Sequence, residues 1–174
     1  ILKTLLVLLL VLVPSLFVGL GERPVYKIQE VRIAETARET LESGEWIVPR
    51  FNGELRLQKP PLPYWLTAAG YRALGVSEST TRLPSVLLGL VSAALILFWA
   101  KRESGLKVAA YSVLVLVLTY LGLRYFRSGE ADAVLLFFVS AASMLGYDLL
   151  YGRGSAQKRA LFGLALGYGF VAGG

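Results

Sequence analysis

Long apolar blocks separated by short polar connections dominate the pattern of hydrophobic and polar positions along this chain. Several of these blocks are long enough to cross the roughly 30 Å of hydrocarbon in a bilayer as single helices. The pattern therefore predicts an all-α integral membrane protein with four to five transmembrane helices. The predicted spans are residues 1–20, 83–100, 106–123 and 131–151, and residues 160–174 form the start of a fifth.

The first block has a competing interpretation as a cleaved signal peptide. Its apolar run is longer than the usual apolar region of a signal peptide, and residues 19–22 make a poor cleavage site, so a retained helix is favoured. The chain begins at Ile1 without a methionine and stops at Gly174 inside an apolar run. This pattern is typical of a part of a longer protein.

The polar segment between the first two spans has a pattern of its own. Apolar residues recur every three or four positions over residues 28–43, which predicts an amphipathic helix that ends at Gly44. Residues 46–49 are predicted to be extended, and Asn52-Gly53 predicts a turn between Phe51 and Leu55. A second helix is predicted over residues 61–74, where prolines suit the first turn. Its aromatic side chains are typical of the headgroup boundary, so both helices are expected at the membrane interface.

Composition supports the bilayer as solvent and narrows the chemistry. Of the 174 residues 55% are hydrophobic and 17% charged. The absence of cysteine and histidine gives no disulfide framework and disfavours a metal site, so neither a metal nor a cofactor is predicted. The basic residues behind the net charge of +6 flank apolar blocks. Membrane lipids are therefore expected partners, and nucleic acid is not.

Charge asymmetry among the connections predicts the orientation in the membrane. The connections at 101–107 and 152–159 are net positive, and positive loops stay in the cytoplasm. Residues 21–82 and 124–131 must then lie outside, on the same face of the membrane. The chain is predicted to be a multi-pass protein of the plasma membrane with residues 21–82 extracytoplasmic.

Lys59 is the first candidate functional residue. It stands in 58-QKPPLPYWL-66, where Pro60, Pro61 and Pro63 stiffen the loop. A fixed cation at headgroup depth is suited to hold a lipid phosphate. The alternative is a snorkelling lysine that only anchors the loop, and spacing alone leaves both interpretations open.

The turn at residues 127–138 supplies the second candidate group. Glu130 and Asp132 stand where the chain re-enters the bilayer, where carboxylates are costly unless they are paired or line an aqueous cavity. A structural pairing with Arg124 and Arg127 is the simpler interpretation. The shared membrane face with Lys59 favours a common polar site.

The outer segment carries a series of short motifs in order: ARE at 37–39, GEW at 44–46, PRFNG at 49–53, KPPLPYWL at 59–66 and RLPS at 82–85. Together with the turn at 127–138, these motifs in this order and at this spacing resemble bacterial glycosyltransferase family 39, whose relatives include protein mannosyltransferases and aminoarabinose transferases. The resemblance runs from residue 29 to the end of the chain.

The resemblance implies a helical membrane enzyme of the GT-C fold. Such enzymes move a sugar from a polyprenyl-phosphate carrier to a lipid or protein acceptor on the outer side of the bacterial inner membrane. By position, the family's carboxylate pair falls on Gln29 and Glu30, and its later carboxylate falls on Asp132. The lysine that contacts the donor phosphate falls on Lys59, and Arg82 is expected to assist it. Glu30 and Asp132 are therefore the expected catalytic residues.

Two departures from the family pattern weaken the expectation of catalysis. The family's aspartate is Gln29 here, and the glutamate that often precedes the lysine is Gln58. A glutamine cannot take a proton from an acceptor hydroxyl near neutral pH. The alternative function is a catalytically degenerate relative that serves as a lipid-binding or structural subunit of a larger membrane assembly. A transporter is disfavoured because the chain shows no internal repeat.

Overall fold

The computed structural model describes residues 13–173, whose regular elements are helices apart from one short hairpin. Most of the predicted first span, residues 1–12, lies outside the described residues, and residues 13–17 are helical. Gly174 lies outside them as well. In chain order the elements are α1 (Ile28–Ser43), β1 (Arg50–Phe51), β2 (Glu54–Leu55), α2 (Leu62–Leu74), α3 (Glu78–Ser104), α4 (Leu106–Leu118), α5 (Tyr120–Phe126), α6 (Asp132–Leu150) and α7 (Ala156–Gly173).

The first helix and the hairpin form where local sequence rules place them. α1 begins and ends at the predicted residues, and Gly44 follows it with a φ of 71°. The Gly44 N–H donates to the Thr40 carbonyl at 3.1 Å, which satisfies one of the free carbonyls at the helix end. β1 and β2 pair antiparallel, and Asn52 and Gly53 both have positive φ, as a two-residue hairpin turn requires.

α2 packs along α1 and is tied to the start of α3. Ala37, Ala68 and Tyr71 form a buried cluster between the first two helices. The Tyr71 hydroxyl lies 2.6 Å from Thr81 Oγ1 in α3. Burial raises the pKa of the Tyr71 phenol, so this tie stays neutral across the physiological range. The outer polar segment is therefore fixed to the first long apolar helix.

α3 is longer than the apolar run that predicted it. The span was expected over 83–100, whereas the helix begins at Glu78 and ends at Ser104. The Ser77 hydroxyl accepts the Thr80 N–H at 3.2 Å and caps the helix. The extension places Arg82 in the second turn of a helix and not in a loop.

The segment predicted as a span over 106–123 is not one straight helix. Two helices, α4 and α5, meet at Thr119 with a bend of 68°. Thr119 has an extended backbone, and its hydroxyl accepts the Gly122 N–H at 3.2 Å, so it caps a new helix. Glycine at position 122 permits the bend, because a side chain there would collide with the Leu116 carbonyl.

The apolar helices pack around a small core and leave much apolar surface outside. Leu16, Val86, Val117, Phe126 and Ala133 belong to the largest buried cluster. Among the described residues, α3 and α6 are long and apolar enough to cross a membrane, and the bent pair α4 and α5 makes a third candidate if it is one span. Large apolar side chains on these helices face outward, which is expected for helices that are surrounded by lipid.

Candidate functional site

A buried ion pair joins two of the residues singled out from the sequence. Arg82 Nε donates to Glu30 Oε1 at 2.8 Å, and Arg82 Nη2 donates to Glu30 Oε2 at 3.2 Å. The side chains are 6% and 2% exposed, respectively. This bidentate geometry is stronger than a single charged hydrogen bond, and the pair joins the start of α1 to the start of α3.

Every donor of the Arg82 guanidinium is engaged. Besides Glu30, Nη1 donates to the carbonyls of Leu20 at 2.6 Å and Arg23 at 2.8 Å, and Nη2 reaches that of Pro24 at 3.4 Å. An arginine has five N–H groups, and these contacts account for all of them. Arg82 therefore fastens the segment before α1, which has no regular structure of its own.

Glu30 also fixes the turn that precedes α6. Its Oε1 accepts the Gly129 N–H at 2.8 Å. The turn lies so close that a Cβ on Gly129 would meet Thr81 Cγ2 at 2.8 Å and the Thr81 carbonyl oxygen at 3.1 Å. Glycine at 129 allows this approach because it has no side chain. Glu30 is thus a junction between α1, α3 and the turn.

The carboxylate of Glu130 pairs with a lysine from the segment before α1. Lys27 Nζ lies 3.2 Å from Glu130 Oε1, and Ser85 Oγ donates to the Glu130 carbonyl at 3.2 Å. The alternative interpretation, a pairing of Glu130 or Asp132 with Arg124 or Arg127, is absent from the ion pairs of the described residues.

The two arginines have other neighbours. Arg127 Nη2 donates to the Val18 carbonyl at 2.5 Å, and the Arg124 guanidinium lies 5.2 Å from the centre of the Tyr125 ring. Lys27, and neither arginine, pairs with Glu130 because Lys27 immediately precedes α1 and Glu30 binds the start of α1 to the loop at Gly129. Lys27 and Glu130 are far apart in the sequence, so the sequence alone did not indicate this pair.

Asp132 is the first residue of α6, and its side chain is exposed. It makes no hydrogen bond or ion pair with any described residue. The residue before it, Ala131, is buried against Ile33 of α1 and Tyr64 of α2. Packing therefore fixes the backbone at Asp132 while the carboxylate stays open to solvent.

Lys59 is exposed on the loop before α2, and its side chain makes no hydrogen bond or ion pair with residues 13–173. The loop is anchored on both sides. Arg56, which is buried, donates from Nε to the Tyr64 hydroxyl at 3.0 Å and from its backbone N–H to the Pro49 carbonyl at 2.8 Å. Lys59 is therefore an exposed cation on an anchored loop, and no hydrogen bond or ion pair of the described residues joins it to Glu30, Arg82 or Asp132.

A second polar cluster escaped the sequence analysis. Asp148, buried near the C-terminal end of α6, accepts from Arg102 of α3 and from Lys158 of α7, the latter at 2.5 Å. Arg153 pairs with Glu103 beside it. The sequence signal that could have identified this cluster is Asp148 itself, because a carboxylate within an apolar membrane segment is usually paired with a cation. No three carboxylates in residues 13–173 come together as a metal site would need.

Known proteins share this sequence and architecture. The family profile described as dolichyl-phosphate-mannose-protein mannosyltransferase matches residues 58–172. An uncharacterized protein of Aquifex aeolicus is 36% identical over 162 residues, which are 91% of this chain and 32% of that protein. The undecaprenyl phosphate-alpha-4-amino-4-deoxy-L-arabinose arabinosyl transferase of Edwardsiella ictaluri is 34% identical over 159 residues, which are 88% of this chain and 29% of that protein.

Solved structures share the fold. ArnT from Cupriavidus metallidurans, crystallised with undecaprenyl phosphate, superposes with a TM-score of 0.90 at 26% identity. Its apo state gives 0.86. The match covers 99% of this chain and 32% of ArnT, so the chain spans about a third of the length of these relatives. The predicted all-α membrane fold of the GT-C type is confirmed. The family resemblance read from the motifs is confirmed as well: the chain belongs to the dolichyl-phosphate-mannose-protein mannosyltransferase family.

Proposed function

We propose that this chain contains the part of a membrane glycosyltransferase that binds the phosphate of the sugar donor, a sugar linked to a polyprenyl-phosphate carrier. The observation that carries the proposal is the state of Lys59. Its ammonium is exposed and makes no ion pair with a described residue, on a loop stiffened by prolines and anchored through Arg56. An uncompensated cation on a rigid loop is arranged to meet an anion, and a phosphate is the anion that a membrane surface offers.

The similarity to ArnT supports the same chemistry. That protein was crystallised with undecaprenyl phosphate, and the two folds superpose over nearly all of this chain. The Lys-Pro-Pro motif lies inside the matched family region. The proposed donor is accordingly a sugar linked to a polyprenyl phosphate, and the proposed acceptor is a lipid or a protein.

We place the reaction on the outer side of the inner membrane. The basic connections at 101–107 and 152–159 lie at one end of the apolar helices, and the segment with Lys59 lies at the other. Positive connections stay in the cytoplasm, which puts Lys59, Glu30 and Asp132 outside.

Asp132 is the better candidate for the general base. Its carboxylate is exposed and makes no hydrogen bond with a described residue, so it is open to an acceptor hydroxyl. Glu30 was expected from the sequence to share this role. Its two oxygens already accept three hydrogen bonds, from Arg82 and Gly129, and it is 2% exposed. We assign Glu30 and Arg82 to positioning the segments around the site.

A specific observation also favours the alternative of a lipid-binding subunit without catalysis. Gln29 and Gln58 are amides where the family has carboxylates. The neighbouring Glu30 is buried in an ion pair with Arg82 and is not free to act as a base. Such a protein would keep the Lys59 contact and lose transfer. Binding and transfer must therefore be measured separately.

The test is binding of undecaprenyl phosphate to the purified chain and to its Lys59→Ala variant. A charge-assisted hydrogen bond contributes about 1.5–3 kcal/mol, so Lys59→Ala should weaken binding roughly ten- to a hundredfold. Lys59→Arg should be intermediate because a planar fork does not reproduce a compact ammonium. Lys107→Ala is the matched control, since Lys107 is an exposed lysine in the opposite connection. Unchanged binding in Lys59→Ala would reduce the motif to a surface anchor.

A further inference from the structure

A cavity of about 520 Å³ opens beside the Glu30–Arg82 pair, on the side of α5. The segment before α1, the start of α3 and the end of α5 all contribute to its wall. Lys59 and Asp132 are not among the lining residues. The polar residues of its wall that bear on binding are Arg23, Lys27, Glu30, Arg82, Arg124, Arg127 and Ser128.

Cations dominate the wall of this cavity. Five of its lining residues are lysine or arginine and one is a carboxylate. Two of the cations are neutralised, Lys27 by Glu130 and Arg82 by Glu30. The remaining three, Arg23, Arg124 and Arg127, form no ion pair with a carboxylate in residues 13–173. Three uncompensated charges around one cavity create a positive potential that attracts an anion.

Ser128 adds an independent observation. It lines the cavity and is 3% exposed, and its Oγ makes no hydrogen bond with any described residue. A buried hydroxyl without a partner costs free energy unless something accepts its proton. An anion in the cavity is such an acceptor, since a hydroxyl and guanidinium groups are all donors to it.

The bend at Thr119 explains how the arginines reach the cavity. α5 turns by 68° from the axis of α4, and both Arg124 and Arg127 come from its last turn and the residue after it. Arg127 is held by the Val18 carbonyl, which is a neutral acceptor and leaves its charge uncompensated. A straight span over 106–123 would not bend these arginines toward the segment before α1.

We propose that this cavity binds a phosphate-bearing group, separately from Lys59. Phosphate suits it because each of its oxygens accepts several hydrogen bonds and arginine forks match its geometry. The group is either a lipid headgroup or free phosphate, since both present the same oxygens. The inference does not depend on the proposed function, because it would hold equally in a chain that performs no sugar transfer.

The experiment measures binding of a fluorescent phosphatidic acid to the purified full chain in detergent, by fluorescence anisotropy. Diacylglycerol with the same chains, which lacks the phosphate, is the ligand control. The test variant is Arg23→Gln with Arg124→Gln, because neither side chain takes part in an ion pair of the described residues. The matched control is Lys101→Gln with Lys107→Gln, which removes the same charge from exposed positions in the opposite connection.

Binding should weaken roughly tenfold or more in the test variant and stay within about twofold of wild type in the control. Ser128→Ala, which keeps the backbone contacts, should also weaken it. The same loss from the test substitutions should appear when they are made in a Lys59→Ala background, which removes any binding at Lys59. Displacement by millimolar inorganic phosphate would identify free phosphate as sufficient, and resistance to it would identify a lipid headgroup. Equal affinity in the test and control variants, or no further loss from the test substitutions in the Lys59→Ala background, would overturn the proposal.

Discussion

Arg82 donates to both carboxylate oxygens of Glu30, a residue 52 positions earlier in the chain, and both side chains are buried. Removing one partner leaves the other charge buried without compensation, which costs about 3–5 kcal/mol. Glu30→Gln should therefore lower the free energy of unfolding by about that amount. Reversible unfolding of the purified chain in mixed micelles measures it.

An exposed pair in the same helix provides the control. Arg38 on α1 hydrogen-bonds to Glu35 and to Glu42, and the hydrogen bond from Arg38 lowers the pKa of Glu35. Glu42→Gln should change stability by only about 0.5 kcal/mol, because exposed pairs are screened by water. Equal effects of Glu30→Gln and Glu42→Gln would contradict a structural role for the buried pair.

Gly129 should not tolerate a side chain. A Cβ there would lie 2.8 Å from Thr81 Cγ2, and the turn cannot move away without breaking the hydrogen bond from its N–H to Glu30. Gly129→Ala should destabilise the chain by roughly 1–3 kcal/mol, as overpacking does. Gly163→Ala in α7 is the control, since nothing lies within 4 Å of its Cβ position and alanine favours a helix. A thermal midpoint of Gly129→Ala at or above that of wild type would show that the turn has room.

Local rules predicted the outer segment well. Amphipathic spacing and Gly44 placed both ends of α1, and Asn52-Gly53 placed the hairpin turn. Each of these depends on residues within one helical turn or one hairpin, where backbone geometry and side-chain identity are directly linked. The Lys-Pro-Pro loop belongs to the same class, because proline fixes its own backbone.

The partners within the polar site could not be predicted because they are set by packing between distant segments. Glu30 and Arg82 were both identified, as a base and as a phosphate ligand, yet the fold pairs them with each other. Lys27 takes Glu130 for the same reason. The break at Thr119 was hidden by hydropathy, since the run stays apolar through it. Charge and hydropathy patterns indicate on which side of the membrane or of a helix a residue lies, whereas tertiary packing determines which residue it contacts.

The orientation of the chain yields a labelling test. Ser43, at the end of α1, and Ser155, before α7, are both exposed in the structure. If the basic connections face the cytoplasm, a membrane-impermeant thiol reagent added to intact cells should modify Ser43→Cys and spare Ser155→Cys. Both should react after the membrane is permeabilised, which controls for access, and the chain has no natural cysteine to interfere. The reverse pattern would invert the predicted topology.

Catalysis should depend on Asp132 in a way that separates it from Glu30. Asp132 is exposed and makes no hydrogen bond with a described residue, so Asp132→Asn should leave stability and undecaprenyl-phosphate binding at wild-type levels. If Asp132 is the general base, transfer should fall by roughly 10²–10⁴-fold. Transfer of a labelled sugar from an undecaprenyl-phosphate donor by the full-length protein in membrane vesicles measures this, with Glu54→Gln in the exposed hairpin as control. Glu30→Gln should instead lose stability and transfer together, because it acts through the fold. Wild-type transfer by Asp132→Asn would exclude Asp132 as the base, and an inactive wild type that gains transfer in Gln29→Asp would identify the amide at 29 as the lesion.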